Sequence, residues 1–356
     1  VEALVLSAEI ALLERRQEEA LQQWQAADKL APTARTAFGL ARTFFALGRF
    51  DEAATSARKT LERNAEHLGA ELFLARLALD VKHDADEAER RVEVALKRVG
   101  DKSVGDFVQA KILSGDVNFL RSRISLAETS YQEALAKEPK SASALRGLGE
   151  TLYRAGRYAE ALARFEAAVQ AAPDNVEAAV GVAKSELSLE RIREAGALLS
   201  RLRQANSKNY AVNYWYARAN EAGGNRDEAE KAYEVAIEVG GIDPVVVDAY
   251  VGLALVKSQQ GRPEEAQKVL AKAREKLPKV PRIYEAMGQL ALSEGRYPAA
   301  VEQFKAALEL SPSDVGVKFK LGVAHRKNRE FDAATKAFDE VAVVDRDYPG
   351  LALERG

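Results

Sequence analysis

Between Ala142 and Asp174 the apolar residues fall on two stripes of helical spacing, Leu145/Leu148/Leu152 and then Tyr158/Ala161/Leu162/Phe165/Ala168/Val169. Ala155-Gly156-Arg157 separates the stripes and Pro173 closes the second, so the pattern predicts two helices folded back as a hairpin.

With Ala142 as position 1, the same pattern extends along the chain. Position 20 is alanine at Ala20, Ala53, Ala88, Ala127, Ala161, Ala195, Ala229, Ala266, Ala300 and Ala334. Those alanines set the register, so other positions must test it. Five of the ten prolines, Pro32, Pro139, Pro173, Pro278 and Pro312, fall at position 32, where a residue without an amide hydrogen ends the second helix. Position 24 is bulky at Trp24, Val92, Tyr131, Phe165, Leu199, Tyr233, Leu270, Phe304 and Phe338, with Ala57 the small exception. Position 8 is small nearly throughout, as at Ala41, Gly115, Gly149, Ala183, Gly288 and Gly322. A small residue at 8 lets the helices of one hairpin approach, and the large one at 24 fills the seam to the next.

Leu at 4 and 7, Gly at 8 and 15, Tyr at 17, Ala at 20, Phe at 24, Ala at 27 and Pro at 32 resemble the tetratricopeptide repeat (TPR) along its whole length. The resemblance implies an all-α fold, a right-handed superhelical α-solenoid of helix-turn-helix repeats. It covers a single array of ten repeats at approximately 1-33, 34-68, 69-107, 108-141, 142-175, 176-209, 210-246, 247-280, 281-314 and 315-348, with 349-356 opening a further helix. Two longer spacings mark insertions, at residues 99–106 before a helix expected near Phe107, and at Gly240-Gly241-Ile242-Asp243-Pro244. Asp174 with Glu177 reads as a capping pair for the helix that follows Pro173.

In a TPR array the inner groove is lined mainly by first helices, at positions 2, 5, 9 and 12. Carried onto this chain, that implies a partner-binding set of Arg42, Tyr153, Lys184, Tyr214 and Arg218, with Trp215 beside them at position 6. Aromatic rings and arginine dominate interface energies, since they bury much area with few rotors and give directed hydrogen bonds. Gly147 and Gly181, also at position 6, are expected to leave the groove open for an extended peptide. Family members that grip a chaperone's C-terminal carboxylate share Lys at 5 and Asn at 9, then Asn at 6, then Lys at 2 and Arg at 6 of successive repeats. No three successive repeats match here, and Arg146 at 5 is followed by Glu150, which repels a carboxylate.

Composition narrows the function further. Fifty-two Lys and Arg nearly balance 54 Asp and Glu, which leaves no basic excess for nucleic acid. No cysteine is present, and the three histidines, His67, His83 and His325, lack the spacing of a metal site or catalytic triad, so neither a cofactor nor an enzyme is indicated. No apolar run approaches the roughly 18 residues of a membrane span. The expected function is therefore a non-catalytic scaffold that binds a partner protein or extended peptide. Two alternatives stay open: a periplasmic platform of a bacterial envelope machine and, against the charge, an RNA-binding helical-repeat protein. Neither end carries a polar cap, with Leu4, Ile10 and Leu12 at one end and Tyr348 to Leu353 at the other. Further repeats or end-to-end self-association are expected from that, and the compartment, bacterial envelope or cytoplasm, is left open.

Overall fold

The computed structural model describes residues 1–99 and 103–355. Among them there is no strand, and helices follow one another along the chain. They are α1 (Glu2–Leu13), α2 (Gln17–Leu30), α3 (Ala34–Ala46), α4 (Phe50–Arg63), α5 (Leu68–Asp80), α6 (Ala85–Val99), α7 (Val104–Leu120), α8 (Ile124–Lys137), α9 (Ala142–Arg154), α10 (Tyr158–Ala171) and α11 (Val176–Ser188). Then come α12 (Ile192–Ala205), α13 (Tyr210–Ala222), α14 (Arg226–Gly240), α15 (Val247–Gln259), α16 (Pro263–Lys276), α17 (Pro281–Ser293), α18 (Tyr297–Leu310), α19 (Val315–Lys327), α20 (Phe331–Val344) and α21 (Leu351–Arg355). Two compact units divide the chain, Val1–Ser185 and Glu186–Gly356.

The first twenty helices form ten helix-turn-helix repeats. Position 15 of each repeat adopts the left-handed backbone conformation, at Arg15, Gly48, His83, Ser122, Gly156, Glu190, Gly224, Gly261, Gly295 and Arg329. Only glycine takes that conformation without a steric cost from its β-carbon, yet five of the ten are other residues. The turn is closed by the backbone, as where the Arg157 amide donates to the Leu152 carbonyl (2.9 Å) and that of Gly156 to Tyr153 (3.0 Å). The prolines act as expected: α10 ends at Ala171 before Pro173, and α16 at Lys276 before Pro278.

Two local expectations are corrected and a third gains detail. The Asn175 side chain, not Asp174, caps α11, accepting from the Ala178 amide at 2.9 Å. After the first insertion, α7 starts at Val104, three residues before Phe107, because Ser103 accepts from the Asp106 amide; residues 100–102 of that insertion lie outside the described residues. The second insertion folds into a short 3-10 turn, Pro244–Val246, anchored where the Tyr210 hydroxyl donates to the Val245 carbonyl (2.6 Å).

Packing follows the volume pattern. The position-24 side chains are buried, with Phe165, Leu199, Tyr233 and Phe304 sealed completely. The ring of Tyr131 lies against Gly115 at position 8 of its own repeat and against Gly147 at position 6 of the next, and Phe165 is held in the same way by Gly149 and Gly181. Where position 24 shrinks to Ala57, position 6 of the next repeat grows to Leu74 in the same core. Successive first helices also touch, α5 with α7 and α7 with α9 in the first unit, α13 with α15 and α15 with α17 in the second. Successive second helices make marginal contact at most. First helices therefore line the inner face of each unit, and second helices splay apart on the outer face. Ion pairs tie the outer edge together, from position 16 to position 21 of the preceding repeat: Arg123–Glu89 (2.6 Å), Arg157–Glu128 (2.9 Å) and Arg262–Glu230 (2.7 Å).

Candidate functional site

In the first unit, α3 places Phe38, Arg42 and Phe45 on one face by their spacing of four and three residues. Phe73 of α5 meets both rings edge-on, 5.9 Å from Phe38 and 5.6 Å from Phe45. Phe50 continues the row 5.5 Å from Phe45, and His67 flanks Phe38 at 4.7 Å. Arg42 is exposed beside this row and has no ion pair or hydrogen bond among the described residues. The result is an unneutralised guanidinium set on an aromatic surface.

Tyr153 and Lys184 come together elsewhere in the same unit, in a different state. The Lys184 ammonium is 2.5 Å from a Glu150 carboxylate oxygen, 4.5 Å above the Tyr153 ring and 5.3 Å from the Phe165 ring, and the residue is only 8% exposed. Its charge is answered internally, from one repeat to the next. Position 6 also differs from expectation. A β-carbon on Gly147 would stand 2.4 Å from the Tyr131 ring, and one on Gly181 equally close to Phe165, so these glycines seat rings and do not open the groove. Nearby, the Tyr131 hydroxyl donates to Asp116 (2.6 Å), which pairs with Arg76 (2.9 Å). Burial and the Asp116 carboxylate push the Tyr131 hydroxyl pKa far above its ordinary value.

In the second unit, α13 gathers Tyr214, Trp215 and Arg218. Tyr210 and Tyr214 stack with centroids 5.8 Å apart, and Trp215 meets Tyr214 edge-on at 5.3 Å. The Arg218 guanidinium donates to the Tyr214 hydroxyl (3.3 Å) and lies 3.6 Å from Glu221, and its side chain is 48% exposed. Burial is the largest single influence on Arg218 and draws its pKa down, but the Tyr214 hydroxyl bond together with the attraction of Tyr214, Tyr233 and Glu221 outweighs it, and the net direction is up. Next along the inner face, a shallow apolar depression of about 200 Å³ opens between α15 and α17, walled by Val251, Leu255, Ala286 and Leu290 over Leu270.

The structure thus brings Tyr214, Trp215 and Arg218 into one cluster, joins Tyr153 to a neutralised Lys184, and sets Arg42 in an aromatic row. Phe45 and the depression at Leu255 were missed by sequence reasoning. Phe45 stood at groove position 12, but only the packing of α5 on α3 shows that Phe73 completes its surface. Among the described residues no cluster of histidine and carboxylates could hold a metal ion, and no helix is long and apolar enough to cross a membrane.

Comparison with known proteins fits this geometry. The tetratricopeptide repeat pattern matches residues 121–176, 183–245, 251–315 and 285–352, with a second form at 152–206 and a third at 33–71. The chain belongs to the tetratricopeptide repeat family. It is 30% identical over 139 residues to tetratricopeptide repeat protein 7A of Homo sapiens, a match covering 38% of this chain and 16% of that protein. The chain therefore spans about a sixth of that relative's length. Two solved structures share the fold. One is a tetratricopeptide repeat protein from Parabacteroides merdae (TM-score 0.59, 18% identity, 72% of this chain and 98% of that one). The other is yeast Tom70 (TM-score 0.57, 14% identity, 99% and 86%). Proteins of this fold mediate protein-protein interactions and assemblies and are typically non-catalytic scaffolds.

Proposed function

We propose that the protein is a non-catalytic scaffold that holds an extended segment of a partner protein on the inner face of its repeats. The observation that carries this is Arg42, a guanidinium without a counter-ion in a row of Phe38, Phe45 and Phe73. An acidic side chain neutralises it, and apolar or aromatic neighbours cover the rings. The second unit repeats the theme with the half-exposed Arg218 beside Tyr214 and the depression under Leu255. Adjacent first helices lie about 10 Å apart, and an extended chain rises about 3.3 Å per residue. From Arg218 on α13 to the depression between α15 and α17 is about one and a half such spacings, so the segment that suits the second unit carries an acidic residue about four to five positions from an apolar one. Lys184 and Tyr153 support the groove by fixing one repeat on the next.

The test is affinity capture with the whole chain as bait, compared with Arg42→Glu/Phe45→Ala and Arg218→Glu/Leu255→Asp variants, followed by mass spectrometry. The expected partner is held by the parent, weakened by each pair, and unaffected by Lys268→Glu on the outer helix α16. A partner retained equally by both inner-face variants overturns the reading.

A further inference from the structure

We propose that the outer face of the second unit carries a separate docking groove, between α14 and α16, for an amphipathic helix with an apolar stripe flanked by basic residues on one side and acidic residues on the other. The groove has a volume of about 520 Å³, and its apolar lining is Ile237, Leu253 and Val269, joined by Lys257, whose charge is answered by Glu230 and Glu265. One wall carries Glu234 and Glu238, one turn apart on α14; the opposite wall carries Lys272 and Lys276, one turn apart on α16. None of the four makes an ion pair among the described residues, although opposite charges line the two walls of one groove. The splay of successive second helices holds the walls apart. Each wall also stacks two like charges at a spacing that destabilises a helix slightly, and an occupant carrying the opposite sign on each flank relieves both.

A second observation points into the same groove. Tyr250 lines it, is 1% exposed, and its hydroxyl has no hydrogen-bond partner. A buried hydroxyl left unpaired is costly, and a polar group at the edge of a docked apolar stripe satisfies it. A helix supplies the required order of groups, apolar centre and charged flanks, within two turns, and two turns span about 11 Å. A strand alternates its faces and presents charge on one flank only with difficulty. The groove opens between the second helices α14 and α16, over the opposite side of α15 from the inner face, so it stands or falls independently of the inner-face reading.

The test uses the full chain and three labelled 14-residue helical peptides, each with one leucine stripe: Lys on one flank and Glu on the other, Lys on both flanks, or Glu on both. Binding is read by fluorescence anisotropy. The mixed peptide is expected to bind at least tenfold tighter than either single-sign peptide. Glu234→Lys/Glu238→Lys, which leaves both walls positive, moves the preference to the all-Glu peptide, and Lys272→Glu/Lys276→Glu moves it to the all-Lys peptide. All four positions are exposed, and circular dichroism confirms that the variants stay folded. Equal binding of all three peptides, no binding of the mixed peptide, or a preference unmoved by charge reversal overturns the proposal. Arg42→Glu leaves this binding unchanged.

Discussion

The ring of Phe165 lies so close to Gly181 that a β-carbon on that glycine would stand 2.4 Å from it. Phe165 belongs to α10 and Gly181 to α11, so one missing side chain sets how closely two repeats stack.

Gly181→Ala is therefore expected to destabilise by about 1 to 3 kcal/mol, the usual cost of overpacking a rigid seam. Ala161→Leu, at a fully buried position, belongs to the same class. Urea denaturation measures both. A Gly181→Ala protein with the parent's midpoint would mean that the ring moves aside freely.

The ring-glycine seam shows which parts of the fold were legible in the sequence. Volume at positions 8 and 24 recurs every repeat and packs locally, so Phe165, Tyr131 and their alanine neighbours could be placed from spacing alone. The same spacing misassigned Gly147 and Gly181, because a glycine states only that space is needed and not which ring fills it. Asp174 and Asn175 are adjacent and both able to cap, and only the structure shows that the Asn175 side chain is the one that accepts from the Ala178 amide. The charge state of the candidate residues was hidden for a similar reason. Lys184 and Arg42 both occupy position 9, but Glu150 one repeat earlier neutralises the first and nothing neutralises the second.

Two buried tyrosines predict opposite responses to loss of a hydroxyl. Tyr233 donates to Glu221 at 2.6 Å, and burial together with that carboxylate raises its pKa, so it remains a donor through the alkaline range. Tyr233→Phe should lose about 1.5 to 3 kcal/mol, as for a hydrogen bond to a charged group. Tyr250→Phe removes a hydroxyl with no partner and should be neutral or stabilise by up to about 1 kcal/mol. Equal losses in the two variants, by urea denaturation, would contradict the assignment.

The turn residues offer a gain in stability. Glu190 is exposed and holds a φ of 61°, the conformation that Gly156 adopts at the same place in the preceding repeat. Glu190→Gly is expected to raise stability by about 1 kcal/mol by removing the left-handed penalty, partly offset by the freer unfolded chain. Gly156→Glu should cost a similar amount. A fall in the melting temperature of Glu190→Gly would show that the turn tolerates its side chain without strain.

Acid should release one clamp on the outer edge of the second unit only after the ordinary carboxylates have been protonated. Arg262 donates to the Glu265 carboxylate at 2.7 and 2.5 Å and Lys257 at 3.3 Å; these hydrogen bonds, Arg262 first, hold its pKa down from the ordinary 4.5 to about 2. The folded value lies below the unfolded one. The clamp's contribution is therefore complete above about pH 4.5 and is lost as the pH falls towards 2. A carboxyl-resonance titration should place Glu265 at the low end of all the glutamates, and Arg262→Gln should return it towards 4.5. Lys257 keeps part of the shift in that variant, because its ammonium is bound to both Glu230 (2.5 Å) and Glu265 (3.3 Å). A Glu265 that titrates with the free glutamates in the parent would show that Arg262 spends its time in solvent and that this pair contributes nothing to stability.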